Sequence, residues 1–228
     1  MTSPRPIGRI PTDRRAELAA HVDALRATLD SAHAAREQAL PACRRAIRAA
    51  GSSIRAVHRL DPSAASALAA EAEGALREAQ HVLAPHPSVA HAGFLHDAEK
   101  EVVEARLTAA LVSGEPLLSA GELMVDPTSW MKGLAEAASE LRRHLLDRLR
   151  EGDLERGEDL LAAMDEVYGA LVTIDYPDAL TGGLRRTLDA LRAVLERSRG
   201  DVTTTALQSR LQRAIERSLD GGPAGDVR

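Results

Sequence analysis

Two pairs of glutamates stand at helical spacing in the middle of the chain. Glu101 and Glu104 are three residues apart, with Asp97 one turn before Glu101, and Glu136 and Glu140 are four residues apart. On a helix each pair shares one face, where like charges are mildly destabilising unless something positive lies between them. A hard divalent cation or an arginine could supply that positive charge. If the two helices pack together, the four glutamates can meet in one pocket.

Carboxylates gathered in this way suit metal-dependent cleavage of a phosphodiester, which needs oxygen ligands, an open coordination position and a means of holding the phosphate. The competing interpretation is that these acids are ordinary surface salt-bridge partners on Ala-rich helices. A ferritin-like di-metal site is excluded, because it requires Glu-x-x-His on two helices. Neither Glu101 nor Glu136 is followed by a histidine three residues later.

A block of arginines lies upstream of the acids. No acidic residue occurs between Glu37 and Asp61, and the block contains Arg44, Arg45, Arg48, Arg55 and Arg59. At 3.6 residues per turn, the members at 44, 48, 55 and 59 fall within an arc of roughly 60°. Arginine's planar fork suits phosphate oxygens, so this stripe is a candidate nucleic-acid-binding surface. A solvated face paired with acids of neighbouring helices remains the alternative.

Composition limits the kinds of nucleic-acid binding that are possible. The 228 residues carry a net charge of −5, so any site for a polyanion must be local. Aromatic residues make up only 2% of the chain, which favours recognition of the nucleic-acid backbone over stacking on bases. The single Cys43 fits a reducing interior. No stretch approaches the roughly 18 uncharged apolar residues of a membrane span. These features predict a cytoplasmic protein without a membrane association.

The elements that must position these side chains are helices. Apolar residues recur at helical spacing almost throughout and the alternation typical of strands is missing, which predicts an all-α protein. Thr12 is a candidate first cap, Pro41 is expected to break or kink the first helix, and Gly200-Asp201 is expected to punctuate the last. Helices are predicted over about residues 12–39, 42–59, 62–83, 88–113, 127–151, 153–173, 187–198 and 203–219. A single domain would span 12–219, between disordered tails at 1–11 and 220–228.

Three ordered segments carry a family resemblance. They are Ser-Ile-Arg-Ala-Val-His-Arg (53–59), Lys-Glu-Val-Val-Glu-Ala (100–105) and Val-Asp-Pro-Thr-Ser-Trp-Met-Lys-Gly-Leu-Ala-Glu-Ala-Ala-Ser-Glu-Leu-Arg-Arg (125–143). In this order they resemble the translin family, and specifically its translin-associated factor X branch. The segment 175–186 resembles prokaryotic members especially. The resemblance covers about residues 12–200.

The resemblance implies a role for each acid. In the catalytic branch the hexapeptide is Gln-Glu-Tyr-Val-Glu-Ala, whose glutamates are metal ligands and match Glu101 and Glu104. A third ligand, an aspartate in the family, matches Glu136, and the glutamate one turn later matches Glu140. The chain departs from the pattern at Lys100, at Val102 and in the longer Glu136, which puts rate and metal geometry in question.

The family further implies a seven-helix bundle with up-and-down packing of long helices, assembled as an octamer that binds RNA or single-stranded DNA. The leading hypothesis is therefore a homo-oligomeric, Mg²⁺- or Mn²⁺-dependent endoribonuclease acting on single-stranded RNA or on unpaired regions of RNA. Metal would be held by Glu101, Glu104 and Glu136, with Glu140 supporting catalysis and the arginine stripe holding phosphates. The main alternative is a non-catalytic RNA- or single-stranded-DNA-binding oligomer, and a helical scaffold is a third.

Overall fold

Helices make up nearly all of the regular structure. The computed structural model describes residues 14–91 and 93–220, and within these ranges it contains nine helices and no strand. The all-α prediction is confirmed. Six helices are long and three are single turns, compared with the seven of the family expectation. They are α1 (Arg14–His58), α2 (Pro62–Leu83), α3 (Pro87–Ala90), α4 (Phe94–Ser113), α5 (Ala120–Leu123), α6 (Pro127–Arg150), α7 (Leu154–Leu171), α8 (Asp178–Thr181) and α9 (Leu184–Asp220).

Local capping chemistry sets several helix starts where the sequence predicted them. Asp61 caps α2, with its carboxylate accepting from the Ala64 N–H at 3.0 Å, and a proline follows it in the first turn. Asp126 caps α6 in the same way, accepting from the Thr128 N–H at 2.7 Å. A short side-chain acceptor followed by proline satisfies an orphan N–H and presets the first helical φ angle, so these boundaries are readable from sequence.

Pro41 does not break the first helix, and the prediction of separate helices over 12–39 and 42–59 is wrong. Helix α1 runs unbroken for 45 residues with Pro41 inside it. The proline is exposed, so the carbonyl that loses its hydrogen bond can be solvated. On both sides of it, Ala39, Ala42 and Cys43 are buried against the core, and this packing holds the helix axis through the defect.

Gly200-Asp201 does not interrupt the last helix either. Helix α9 continues for 37 residues across this pair, because buried Ser198 and Val202 anchor it on both sides. Asp201 pairs with Arg142 of α6 at 2.8 Å, which ties the same turn to the bundle. Helix α9 includes Asp220, the first residue assigned to the predicted C-terminal tail. The rest of both predicted tails and the Thr12 cap lie outside the described residues.

Small side chains let the central helices pack closely. Ala39, Ala42, Ala46 and Ala50 of α1 are fully buried against α2 and α4. Helix α4 lies between this layer and α6, whose Ala135, Ala137 and Ala138 are also fully buried. Alanine brings helix axes close at little cost in side-chain entropy. The Ala-rich sequence therefore produces the short interhelical distances on which the site depends.

The two longest helices each extend an apolar stripe beyond the core. Residues 14–31 of α1 are all exposed, including a stripe of Leu18, Val22, Leu25 and Leu29, which are 49–69% exposed. Residues 210–219 of α9 are likewise exposed, and this helix carries Leu207, Leu211, Ile215 and Leu219 on a second stripe. Among the helices described, none combines the length and apolarity that crossing a membrane would demand.

Candidate metal and nucleic-acid site

The two glutamate pairs meet because α4 and α6 run side by side in the same direction. Ser129 of α6 donates to the carbonyl of His96 at 3.2 Å, and Lys100, one turn further along α4, contacts Glu136, two turns further along α6. Parallel alignment keeps residue offsets nearly constant, so acids near position 101 face acids near position 136. Glu101, Glu104 and Glu136 each offer a carboxylate oxygen, and the three oxygens lie within 4.8 Å of one another. We refer to these three residues as the carboxylate triad.

Gly133 makes this close approach possible. A Cβ atom at residue 133 would lie 2.6 Å from Cγ1 of Val103 and 2.8 Å from the carbonyl oxygen of Lys100, both on α4. Distances this short are not tolerated between non-bonded atoms, so only glycine fits. Because Glu136 lies three residues after Gly133, the contact brings its side chain over the face that carries Glu101.

Glu104 is the most deeply placed member of the triad. Only 9% of it is exposed, and burial, followed by the charges of Glu101 and Glu136, raises its pKa to about 8. Glu140 contributes further in the same direction, whereas Lys100 opposes the shift. The carboxyl group therefore holds a proton at neutral pH unless a further positive charge enters the triad.

Lys100 supplies the positive charge that the triad has without a metal. Its ammonium lies 3.1 Å from Oε1 of Glu101 and in direct contact with Oε2 of Glu136. The hydrogen bonds and charges of these partners raise the pKa of Lys100 in spite of its burial. From sequence, a divalent cation or an arginine was expected between the acids, so the lysine is a finding of the structure.

Glu140 lies beside the triad and is held by a pair of histidines. The Nε2 atom of His58 is 2.7 Å from Oε2 of Glu140, and its Nδ1 atom is 3.2 Å from Nε2 of His144. Burial and the neighbouring His58 lower the pKa of His144 to about 4, so it is neutral at physiological pH. The sequence reasoning missed both histidines. His58 lies within the segment 53–59 that carried the family resemblance, which was the one available signal.

The arginine stripe occupies an exposed side of α1. Arg44, Arg48, Arg55 and Arg59 are all exposed, and among the described residues no acidic side chain forms an ion pair with any of them. Arg45 lies off this face, is partly buried and pairs with Glu78 of α2. Arg55 is one helical turn before His58, so the stripe ends close to the residue that holds Glu140. We call the four exposed residues the arginine face.

Two other acids of α4 lie outside the triad. Asp97 is exposed and contributes no oxygen to it. Glu99 is 5% exposed, but its carboxylate accepts from Gln80 Nε2 at 3.1 Å and from Ser129 Oγ at 3.0 Å. Its oxygens are thus satisfied by hydrogen bonds that join α2, α4 and α6. We assign Glu99 a structural role.

The donor set of the triad fits a small, hard divalent cation. Mg²⁺ binds oxygen ligands at about 2.1 Å, which places its ligands roughly 3 to 4 Å apart. Oxygens that already lie within 4.8 Å need only a small side-chain adjustment to reach that spacing. The protonated state of Glu104 points the same way, since one more positive charge in the triad would let all three carboxyl groups ionise.

The fold and the triad together define a class: an all-α bundle with a carboxylate cluster between two parallel helices. A solved structure of AfC3PO is 31% identical over 82% of this chain and 98% of that chain, with a TM-score of 0.67. A complex of AfC3PO with duplex RNA aligns at 30% identity and a TM-score of 0.68, over 82% of this chain and 97% of that chain. The chain belongs to the translin family, of which C3PO proteins are members.

Two further comparisons are less informative about function. Apo-NeC3PO has the same fold, with a TM-score of 0.72 over 87% of this chain and all of that chain, at 18% identity. An uncharacterised protein of Methanocaldococcus jannaschii is 29% identical over 126 residues. That match spans 55% of this chain and 56%, about half, of the relative. No family model matches the sequence.

Proposed function

We propose that this protein is an RNA-binding, Mg²⁺- or Mn²⁺-dependent endoribonuclease that acts on single-stranded RNA or on unpaired regions of RNA. The observation that carries the proposal is the convergence of Glu101, Glu104 and Glu136 from two helices onto one point. Acids that lie close together and are at least partly buried repel one another and reduce stability, and a cation site gives a reason for their placement.

Each acid has a role in this proposal. The triad holds the cation, which supplies Lewis-acid polarisation of the phosphodiester when bound. Glu140 stands apart from the triad and is oriented by the N–H of His58, so it can accept the proton of the attacking oxygen. Because His144 is neutral and contacts the other nitrogen of His58, it fixes the ring orientation from behind. The histidines thus position Glu140 without touching the substrate.

RNA binding is supported by the arginine face and by the relative solved with duplex RNA. Four exposed guanidinium groups along one side of α1 suit contacts with phosphate oxygens, which position a nucleic acid without reading its base sequence. The same chemistry would hold single-stranded DNA. Arg45, which pairs with Glu78, contributes less than the other four.

The proposal is tested by incubating labelled single-stranded RNA with the full-length protein in Mg²⁺, in Mn²⁺ and in EDTA. Cleavage is expected with either metal and not with EDTA. In the double variant Glu101→Gln/Glu104→Gln it should fall at least a hundredfold, because two of the three ligands lose their charge. Glu166→Gln, an exposed acid on α7, is the matched control and should cleave normally.

Other results of that assay distinguish the alternatives. Cleavage that persists in EDTA or in the double variant contradicts the assigned site. Salt-sensitive RNA binding without cleavage would identify a non-catalytic binding protein, and absence of both would leave a helical scaffold. A duplex RNA substrate run in parallel shows whether unpaired regions are required.

We further propose that the protein is a homo-oligomer, an octamer by family resemblance. The apolar stripes on the projecting ends of α1 and α9 support self-association, because a monomer would leave both in water. A second copy presents the same two stripes and can bury them in a closed, symmetric assembly.

Light scattering tests this assembly. The wild-type mass should be a multiple of 24.3 kDa, whereas Leu25→Glu/Leu29→Glu should shift the protein to smaller species, because two charges would enter the buried contact. Ala20→Glu/Ala27→Glu places the same charges on the opposite side of α1 and should leave the mass unchanged. A monomeric wild type, or equal masses for both variants, would contradict the proposal.

A further inference from the structure

Lysine is rare in this chain, and one of its two copies lies at the carboxylate triad. Lysine and arginine together number 29, yet only Lys100 and Lys132 are lysines. Lys132 is partly exposed on α6, with its ammonium 3.4 Å from the carbonyl of Gly182. Lys100, by contrast, keeps only 17% of its side chain exposed and contacts two members of the triad.

The ammonium contacts two of the carboxylates that a cation would need. It contacts Glu101 on its own helix and Glu136 on α6, and these are two of the three residues whose oxygens converge. The backbone of Lys100 is also fixed in place, since its carbonyl lies against Gly133 where α4 packs on α6. The lysine is therefore held at the triad by packing and by charge.

We propose that Lys100 is a built-in competitor for the divalent cation, so that metal binding requires its ammonium to leave the triad. The inference rests on the proposed function, because it concerns the same cation. The inference goes beyond the proposed function because it assigns to Lys100 control over the metal concentration at which the triad binds its cation. Lys100 is a specificity-determining residue in this proposal and not a catalytic one.

Chemistry explains why lysine suits this task. An ammonium is a compact point charge on a flexible stem, so it can stand where a metal ion would and can swing away by rotating its side chain. A guanidinium is planar and would bind a carboxylate through two bonds, which are harder to displace. Two cations sharing Glu101 and Glu136 would lie only a few ångströms apart, and their repulsion disfavours joint occupancy.

The test measures Mn²⁺ affinity in the absence of RNA, by following free Mn²⁺ with electron paramagnetic resonance. Lys100→Gln and Lys100→Met should bind Mn²⁺ about tenfold more tightly than the wild type, because a repelling charge is removed at contact range. Lys100→Arg keeps the charge and should not bind more tightly than the wild type. Lys132→Gln removes the other lysine and should leave affinity unchanged. Circular dichroism establishes that each variant is folded.

The outcomes separate this inference from the proposed function. Equal affinity in the wild type and the neutral variants, or weaker binding in the latter, overturns the competitor role and leaves the cation site standing. Equal tightening in Lys100→Arg also overturns it, since charge would then not be responsible. Failure of every protein to bind Mn²⁺ above the level of Glu101→Gln/Glu104→Gln overturns both proposals.

Discussion

Replacing Glu104 with glutamine is expected to raise the melting temperature of the metal-free protein at pH 8 by roughly 10 °C, and to abolish its stabilisation by Mn²⁺. The pKa of Glu104 is raised to about 8 by burial and by its acidic neighbours. A difference of one pKa unit between the folded and unfolded states is worth about 1.4 kcal/mol. The charge of Glu104 therefore lowers the free energy of unfolding by about 4 kcal/mol at pH 8, which for a chain of this length corresponds to that shift in melting temperature.

The sign of the effect follows from proton linkage. The folded protein binds the Glu104 proton more tightly than the unfolded chain, so this contribution to stability is fully present below the ordinary pKa of 4.5. It is lost as the pH rises from there towards 8. Glutamine does not titrate, so the two proteins should differ little near pH 4.5 and most near pH 8.

Thermal melts across this pH range, with and without Mn²⁺, measure both effects. Mn²⁺ should stabilise the wild type, because a ligand that binds only the folded state raises its stability. Glu166→Gln on the exposed face of α7 is the control and should follow the wild type in both series. A Glu104→Gln protein that melts lower at pH 8, or that keeps the Mn²⁺ effect, would show that Glu104 is not a strained ligand.

Replacing Gly133 with alanine is expected to destabilise the protein by about 2 to 3 kcal/mol. The new Cβ would fall 2.6 Å from Cγ1 of Val103, and 2.8 Å from a backbone oxygen that cannot turn aside. Overpacking of this kind forces the helices apart. Separation of α4 from α6 would also carry Glu136 away from Glu101, so Mn²⁺ affinity should fall together with stability.

A second glycine provides the matched comparison. Gly74 lies inside α2, and a Cβ added there would meet nothing within 4 Å. Alanine at 74 should stabilise the protein by roughly 0.5 to 1 kcal/mol, because it restricts the unfolded chain and favours helix. Urea unfolding of both variants tests the difference, and two changes of the same sign would refute the close-packing explanation.

The sequence predicted those parts of the fold that depend on local chemistry. Asp61-Pro62 and Asp126-Pro127 started helices where expected, because a cap and a first-turn proline act within a few residues of chain. Pro41 and Gly200 were wrongly expected to interrupt helices. Their intrinsic cost, which is a local quantity, is outweighed by the burial of their neighbours, and burial depends on contacts distant in sequence.

The candidate site was likewise predictable from the sequence only where it depends on local spacing. Spacing alone placed Glu101 with Glu104 and Glu136 with Glu140, and family resemblance brought the two pairs together. The part that Lys100 plays was not foreseen, since a lysine next to a glutamate on a helix normally points to solvent. It reaches the triad because Gly133 lets α6 approach. The histidines at 58 and 144 lie 86 residues apart and meet only through packing.

By itself, the sequence determined an all-α chain, the composition of its core and the identity of the acids and arginines. These follow from periodicity, capping and side-chain chemistry, all of which act over one or two helical turns. Only the tertiary structure decided that α4 and α6 run in parallel, and that they pack so closely at Gly133 that no larger side chain fits there. That distance sets which charges face one another, and it thereby makes Glu104 a proton-holding acid and places Lys100 against Glu101 and Glu136.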